Sequence, residues 1–426
     1  MAQKAGPLRS CIFACTNKSQ EECLGRMLFG TSRVYGAAAM RVRKGDPLFL
    51  LNLDTDLLYG VFKATTDGKF KLELDAWKGN YPYQVKVDPI GDIIPLTNGK
   101  KLLQKLGIGR SSPIGGTATQ KLLELYGYTN IRDKDLSKYL FKGKVRIRDP
   151  IQWELPKKFK ITNGFYEKIP QLEATNLWDF ARQSYGITPK GDNKYPGVTP
   201  AELIWNLVWR YTEPNDLVVD PMCGSGTTLD VCKEEGRRAI CYDISPPPHR
   251  QDIIQNDARK IPLDTSSVDL VFVDSPYGDN IRYNEHPDCI GKISSETETF
   301  YDELEIVISE CSRILREGKV LGWLIGDQWV KGKFTPVGFK LYQRLSKHFD
   351  TVDIVCVTRR GQASHTSFWT NRARRLNFYL RGYKYLFIMR KPLPGKQKKE
   401  RSRKVNWTLY ERKKNGGSKT VNSRPA

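Results

Sequence analysis

The sequence predicts an α/β chain: a doubly wound Rossmann-like sheet in its second half, preceded by a small mixed α/β unit. Two short apolar runs, Leu217-Val-Val219 and Val268-Asp-Leu-Val-Phe-Val273, are rich in β-branched residues and end abruptly in turns. Buried parallel strands read this way, with their functional loops at the carboxyl ends. Further strand-like runs stand at Arg238–Asp243, Lys319–Ile325, Val352–Val357 and Tyr383–Met389. Between them Phe300, Leu304, Val307, Ile308, Cys311, Ile314 and Leu315 repeat with helical spacing. Strands alternating with helices predict the doubly wound sheet.

The elements can be justified in chain order. Residues 10–95 read as short strands, at Cys11–Phe13, Pro47–Asn52, Leu58–Lys63 and Gln84–Val87. Residues 96–168 are rich in Lys and Gly, with helices expected around Leu122 and Leu136, and read as a basic linker or small helical subdomain. Leu106-Gly-Ile-Gly109 follows no strand, so it reads as a helix-terminating loop rather than a phosphate cradle. From 170 to 391 comes the larger unit. Thr199 and Glu202 form a capping-box pattern, Pro200 suits a first helical position, and Leu203, Ile204, Leu207, Val208 and Tyr211 give one apolar face. That helix leads into the strand at Leu217.

Composition narrows the partners. No run approaches eighteen apolar residues and the start lacks a hydrophobic signal core, so the chain reads as soluble and cytoplasmic, with no membrane partner. The nine cysteines are scattered without a second metal-type pair, so no metal is expected and reduced core thiols are. Lys and Arg number 69 against 47 Asp and Glu, a formal +22 that attracts polyanions, nucleic acid first among them. From Lys391 onward twelve Lys and Arg face only Glu400 and Glu411, and residues 392–426 read as a flexible basic tail for phosphate contact.

The residues Ile12-Phe-Ala-Cys-Thr-Asn17, Glu22-Cys-Leu24, Leu28-Phe-Gly30, Gly45-Asp-Pro-Leu-Phe-Leu50 and Leu58-Tyr-Gly-Val-Phe-Lys63 give the first unit its character. They resemble the DCD domain, a module related in outlook to PUA folds. The resemblance implies a binding accessory rather than a chemistry.

The loop Asp220-Pro-Met-Cys-Gly-Ser-Gly-Thr-Thr228 joins a strand to a helix. Its small residues let backbone N–H groups approach a ligand at the positive end of that helix. A Walker loop is excluded because no Gly-Lys-Ser/Thr follows, and the dinucleotide spacing is not met. Asp243, closing the next strand, can accept hydrogen bonds from ribose hydroxyls, and Asn256 and Asp257 can meet an adenine edge. S-adenosylmethionine is the best-fitting cofactor. The loop resembles the Asp-Pro-Phe-x-Gly-Ser-Gly-Thr-Thr motif of the DNA-methylase N4/N6 family, with Met222 in place of Phe. The resemblance implies a class I methyltransferase sheet and cofactor contacts from Asp220, Pro221, Met222, Gly224, Ser225, Gly226 and Thr227. By the same analogy Thr175 and Trp178, with Val198 and Thr199, cover the methionine end of the cofactor.

The second loop, Asp274-Ser-Pro-Tyr277, fits chemistry on an exocyclic base amine. Such an amine is a poor nucleophile because its lone pair is conjugated into the ring, so a site must hold its protons and aim the lone pair. The Asp274 carboxylate can accept one proton and the carbonyl of Ser275, held extended by Pro276, the other. Tyr277 offers a face for stacking on an extruded base. Catalysis would be by orientation and electrostatics, without a covalent intermediate. The tetrapeptide resembles the Asp/Ser-Pro-Pro-Tyr motif of amino methyltransferases, with Ser275 where Pro is usual. Asn280, Arg282 and Tyr283 continue that resemblance as base or phosphate contacts. Carbon-5 cytosine methylation would need a Cys nucleophile in this loop, and there is none.

Residues 359–375 mix cations with Phe368 and Trp369, and Phe368, Trp369 and Arg372 are expected to touch the nucleic acid. No stretch of a hundred or so residues after the second loop is free to form a target-recognition domain. That favours reading shape, and hence structured RNA over DNA, with N4 of cytosine as the favoured amine. DNA N4-cytosine or N6-adenine methylation, guanine-N2 methylation of tRNA, a small-molecule or protein amine substrate, and a non-catalytic nucleic-acid reader remain alternatives.

Overall fold

In this computed structural model the described residues of one compact unit, Met1–Lys391, form two large β-sheets and a two-stranded hairpin. The structure describes residues 9–108, 113–128, 145–153, 170–180, 182–186, 188–192, 194–195, 197–279, 281, 283–330, 332–359 and 366–394.

The first sheet is built from β1 (Arg9–Cys15), β2 (Leu28–Thr31), β3 (Pro47–Asn52), β4 (Leu58–Ala64), β5 (Lys69–Phe70), β6 (Tyr83–Leu96) and β7 (Pro113–Gly115). Helices α1 (Asn17–Gly25), α2 (Arg33–Met40), α3 (Gly99–Lys105) and α4 (Gly116–Leu125) accompany it. Its order is β2-β6-β4-β3-β1-β7 with β5 beside β6. Strands β3 and β4 are buried almost throughout, which explains their unbroken apolar runs.

The boundary expected at residue 95 falls inside this sheet's own structure. Strand β7 pairs with β1, while Leu102, Leu103, Leu122 and Leu123 join Phe49, Leu58 and Leu96 in one core. The Tyr126 hydroxyl donates to the Leu58 carbonyl at 2.6 Å, and Ile147 and Ile151 bridge to Ile93 and Leu96. The described part of 96–168 is therefore no separate linker: its apolar helix faces find burial only against the first sheet. The helix expected around Leu122 is α4, Gly107 turns the chain after α3 with φ +66°, and Leu136 and Gly109 lie outside the described residues.

The second sheet collects β8 (Leu177–Phe180), β9 (Leu217–Asp220), β10 (Arg238–Asp243), β11 (Ile254–Gln255), β12 (Val268–Asp274) and β13 (Leu315–Ile325), then β16 (Asp350–Arg359) and β17 (Tyr383–Arg390). The helices are α5 (Ala201–Tyr211), α6 (Thr227–Glu234), α7 (Glu298–Ile314), α8 (Val337–His348) and α9 (Ser367–Arg375), and β14 (Gln328–Val330) with β15 (Lys333–Thr335) forms a separate hairpin. The order is β11-β10-β9-β12-β13-β17-β16-β8. Strands β10, β9, β12 and β13 run parallel, whereas β17 is antiparallel to both neighbours. This is a doubly wound, Rossmann-like sheet that reverses its winding between β9 and β12, the crevice where such sheets bind ligands.

Helix α7 buries Phe300, Leu304, Val307, Ile308, Cys311 and Ile314 on one face, and Leu315 opens β13 instead of closing the helix. Helix α5 packs on β13 across Gly322, where a β-carbon would come within 2.7 Å of Leu207. The capping box at its start does not form: Pro200 is the N-cap without a side-chain bond, and the Thr199 hydroxyl turns elsewhere.

The two sheets meet across a shared core. Tyr83 of β6 packs on Trp209 of α5 with ring centroids 5.4 Å apart, and Gly36 of α2 lies so close that a β-carbon would sit 2.8–2.9 Å from both rings. Arg33 donates to the Arg210 carbonyl at 2.9 Å, and Arg41 pairs with Glu234 and Glu235 at 3.1 and 2.9 Å. All nine cysteines are free thiols, eight of them buried. Among the described residues no helix is long and apolar enough to cross a membrane, and no three His, Cys, Asp or Glu side chains group as metal ligands would.

Candidate active site

A cavity of 330 Å³ opens at the carboxyl ends of β9, β10 and β12, and both loops singled out in the sequence line it. The first loop leaves β9 at Asp220 and enters α6 at Thr227. Gly224 and Gly226 have φ of +54° and +88°, backbone that side chains rarely tolerate. A β-carbon on Gly224 would stand 2.8 Å from the ring of Tyr195, which roofs the loop. Buried Asp220 accepts from the Met222 N–H at 3.1 Å and the Thr228 hydroxyl at 2.5 Å. Burial pushes its carboxyl up to about 7, with Asp274 and Asp243 adding to the rise against those two hydrogen bonds.

Asp243 ends β10 facing the cavity, its oxygens accepting from the N–H groups of Gly224 (3.0 Å) and Ser245 (2.9 Å). Burial raises its carboxyl too. Each carboxylate oxygen has a second lone pair, so Asp243 keeps acceptor capacity toward the cavity. Arg250, which the sequence reading passed over, clamps the loop from behind, donating to the Ser225 carbonyl at 2.7 Å and to both oxygens of Asp230.

The second loop leaves β12 at Asp274. Thr199 donates to its Oδ2 at 2.5 Å, the Tyr277 hydroxyl donates to its Oδ1 at 3.0 Å, and Lys384 of β17 brings its ammonium to 3.8 Å. The same ammonium lies 4.9 Å from the Tyr277 ring centroid. The expected free stacking face of Tyr277 is thus partly taken, because the short span to Asp274 pulls its hydroxyl onto the carboxylate. Behind the loop Trp323 donates to the Ser275 hydroxyl at 3.0 Å. Gln328 donates to the Tyr277 carbonyl at 2.6 Å and is itself held by Ser295. These bonds fix the backbone around Pro276, including the Ser275 carbonyl.

Asp220, Pro221, Met222, Gly224, Ser225, Thr227, Asp243, Asp257, Asp274, Pro276, Tyr277 and Tyr283 all line the cavity. Gly226 and Ser275 support it through the backbone without appearing on its wall. Burial raises the hydroxyls of Tyr195 and Tyr283, each with neighbouring carboxylates adding to the rise, so both stand as neutral phenols.

Other expectations are corrected. Thr175 is exposed and bonded within its own turn, and Trp178 is buried beneath β8 against Phe180, donating to the Thr175 carbonyl at 2.9 Å. Strand β8 joins the sheet at its far edge, beside β16, which carries both residues away from the cavity. Val198 and Thr199, expected beside them, do stand on the cavity wall, together with Tyr195. Asn256 turns its amide to the carbonyls of Asp257 and Lys260 and is off the wall. Asp257 reaches the wall, but Arg259 binds both its oxygens. Phe368, Trp369 and Arg372 lie on exposed α9, outside the cavity, and Asn280 and Arg282 lie outside the described residues. Lys384 and Arg250, which carried no sequence signal beyond an ordinary basic residue, are the functional neighbours that reading missed.

Residues 9–104 match the model of the Development and cell death domain, and residues 131–255 match a family described as DNA methylase. Over 83 residues the chain is 36% identical to the B2 protein of Daucus carota, which covers 18% of this chain and 40% of that protein. It is 32% identical over 80 residues to the DNA adenine methyltransferase YhdJ of Escherichia coli strain K12, covering 19% of this chain and 25% of that one. A solved structure, TrmN from Thermus thermophilus, is similar over 46% of this chain and 51% of its own at 15% identity and a TM-score of 0.32. The chain spans less than half the length of these curated relatives. Its two matched segments are thus similar, in order, to a Development and cell death domain and to part of a DNA methylase.

Proposed function

We propose that the protein is an S-adenosylmethionine-dependent methyltransferase acting on an exocyclic amino group of a base in nucleic acid. The observation that carries the reading is the convergence of the two loops on one cavity, with Asp243 on one side and Asp274 on the other. The cofactor fits what lines this space. The left-handed glycine backbone at Gly224 lets Tyr195 close over the loop at the cavity wall, and Asp243 retains acceptor capacity for a ribose diol. When bound, S-adenosylmethionine supplies an electrophilic methyl group on a sulfonium.

The chain's own residues do the rest. Asp274, on the cavity wall, accepts a proton of the amine, and the Ser275 carbonyl, just behind the wall between Asp274 and Pro276, is the group proposed to accept the other. Thr199, Tyr277 and Lys384 hold the carboxylate in place. Hydrogen bonds from both sides draw the nitrogen toward tetrahedral geometry and aim its lone pair.

Within this reading N4 of cytosine is the favoured amine. Tyr283 and Pro276 both pack against Gly291 and both line the cavity, which supports a compact, one-ring base. RNA is favoured over DNA, supported by exposed aromatic and cationic side chains on α9, which suit unpaired bases. DNA adenine is the second reading, supported by the similarity to a relative named a DNA adenine methyltransferase. Methyl transfer from labelled cofactor to separate pools of unmodified RNA and DNA, with nucleoside mass analysis, tests all of these. Labelled N4-methylcytidine in RNA is expected. N6-methyladenine in DNA would establish the second reading, and label in neither pool would overturn nucleic-acid methylation.

A further inference from the structure

The hairpin β14–β15 is tied to the second loop through Gln328 and carries an aromatic and cationic face. Trp329 and Phe334 are cross-strand partners, and 44% and 41% of their surfaces are exposed. Phe378 stacks on Trp329 with centroids 6.4 Å apart and planes at 20°, while the Arg381 guanidinium lies 5.2 Å over Phe334. Phe378 is tied in turn to α9 by its N–H, which donates to the Ala373 carbonyl at 3.0 Å. The face is thus continuous from hairpin to helix.

It is also continuous with the chemistry. Gln328, next to Trp329, is the residue that holds the Tyr277 carbonyl, and Lys384, three residues beyond Arg381, lies beside Asp274. Between Thr366 and Tyr385 there are four Arg, one Lys and no carboxylate. Exposed rings interleaved with guanidinium groups have no use in a folded core, and this density of positive charge disfavours a basic or neutral protein partner. Unpaired nucleotides satisfy both features at once: each base has a π-face to stack and each linkage an anionic phosphate to neutralise.

We infer that the hairpin face bearing Trp329, Phe334, Phe378 and Arg381 binds unpaired nucleotides flanking the target base in the same strand. This rests on the nucleic-acid reading above and adds to it the state of the strand: single-stranded beside the target. A base delivered from an already unpaired strand avoids most of the unstacking cost that a duplex would impose.

The test uses the full chain and a fluorescently labelled RNA oligonucleotide, alone and annealed to its complement, followed by anisotropy across a salt series. The wild type is expected to bind the single strand more tightly than the duplex. Trp329→Ala and Arg381→Gln are each expected to weaken single-strand binding about tenfold. Arg381→Gln also flattens the salt dependence, and Trp329→Tyr restores most of the affinity. S-adenosylhomocysteine binding, read by calorimetry, stays at the wild-type value in all three and reports that the fold is intact. Variants that bind the single strand as the wild type does would overturn the surface while leaving the proposed methylation standing. A wild type that binds the homocysteine product but neither oligonucleotide would overturn the nucleic-acid reading and this surface with it.

Discussion

At the scale of single residues, Asp220 is the clearest electrostatic outlier of the site. It is 2% exposed, and burial raises its carboxyl to about 7, well above an unfolded aspartate. The folded chain therefore holds a proton that the unfolded chain has released between about pH 4 and pH 7. Its contribution to stability is present below pH 4 and is lost as pH rises through 7. Asp220→Asn is isosteric and cannot ionise, so its advantage over the wild type should be small at pH 5, grow to a few kcal/mol by pH 8 and then level off. Thermal unfolding of both proteins across that range measures it, and a constant difference would contradict a raised carboxyl. Thr199 makes a second case. Its hydroxyl, which the sequence pattern assigns to a helix cap, is bonded to Asp274. Thr199→Val removes one charge-assisted hydrogen bond, about 1.5–3 kcal/mol. If that bond acts in the transition state, steady-state kinetics should show kcat down roughly ten- to a hundredfold.

At the scale of elements, the strands of the second sheet were legible because each is a short apolar run closed by a turn. Those expected at 217–219, 238–243, 268–273 and 383–389 lie within β9, β10, β12 and β17. Helix α7 was legible from its 3.6-residue spacing. What stayed hidden depends on contacts distant in sequence. Strand β8 alternates exposed and buried residues over four positions, too short a pattern to mark a strand, and it forms because β16 offers an open edge. Of the expected cofactor cover, Thr175 and Trp178 were misplaced for the same reason: Trp178 has the composition of a pocket residue, but its strand is paired at the far edge of the sheet. The pair Lys384–Asp274 needs β17 inserted beside β13, a register that no local spacing reveals. Element packing also sets a prediction at α2. A β-carbon at Gly36 meets the rings of Tyr83 and Trp209 at 2.8–2.9 Å, neither of which can withdraw from a full core. Gly36→Val should cost about 1–3 kcal/mol by overpacking. Urea unfolding should show a lower midpoint, whereas an unchanged midpoint would mean that the two sheets yield easily at this contact.

At the scale of the whole molecule, one group of charges joins the first sheet to the loop that covers the cavity. Arg41, just after α2, pairs with Glu234 and Glu235 at the end of α6. Glu235, 6% exposed, also accepts from the Tyr185 hydroxyl at 3.0 Å and the Trp209 indole at 2.9 Å. Glu234 holds Thr188 and the buried ammonium of Lys190, each at 2.8 Å. A few residues on, the same segment supplies Tyr195 over Gly224 and Thr199 on Asp274. Arg41 thus neutralises carboxylates that position the cavity's cover. Arg41→Met leaves Glu235 buried with two neutral donors and the nearby Arg237, so the loss should fall near the low end for a broken buried pair, about 3 kcal/mol. S-adenosylhomocysteine affinity should fall in parallel, because Lys190 and Tyr185 lose part of their fixed frame. Adding Glu235→Gln removes the uncompensated charge while keeping an acceptor for both donors. The double variant is therefore expected to regain at least half of the lost stability in urea unfolding, with partial return of cofactor-product affinity. Additive losses would mean that Arg41 acts by packing alone and that the first sheet has no electrostatic hold on the covering loop.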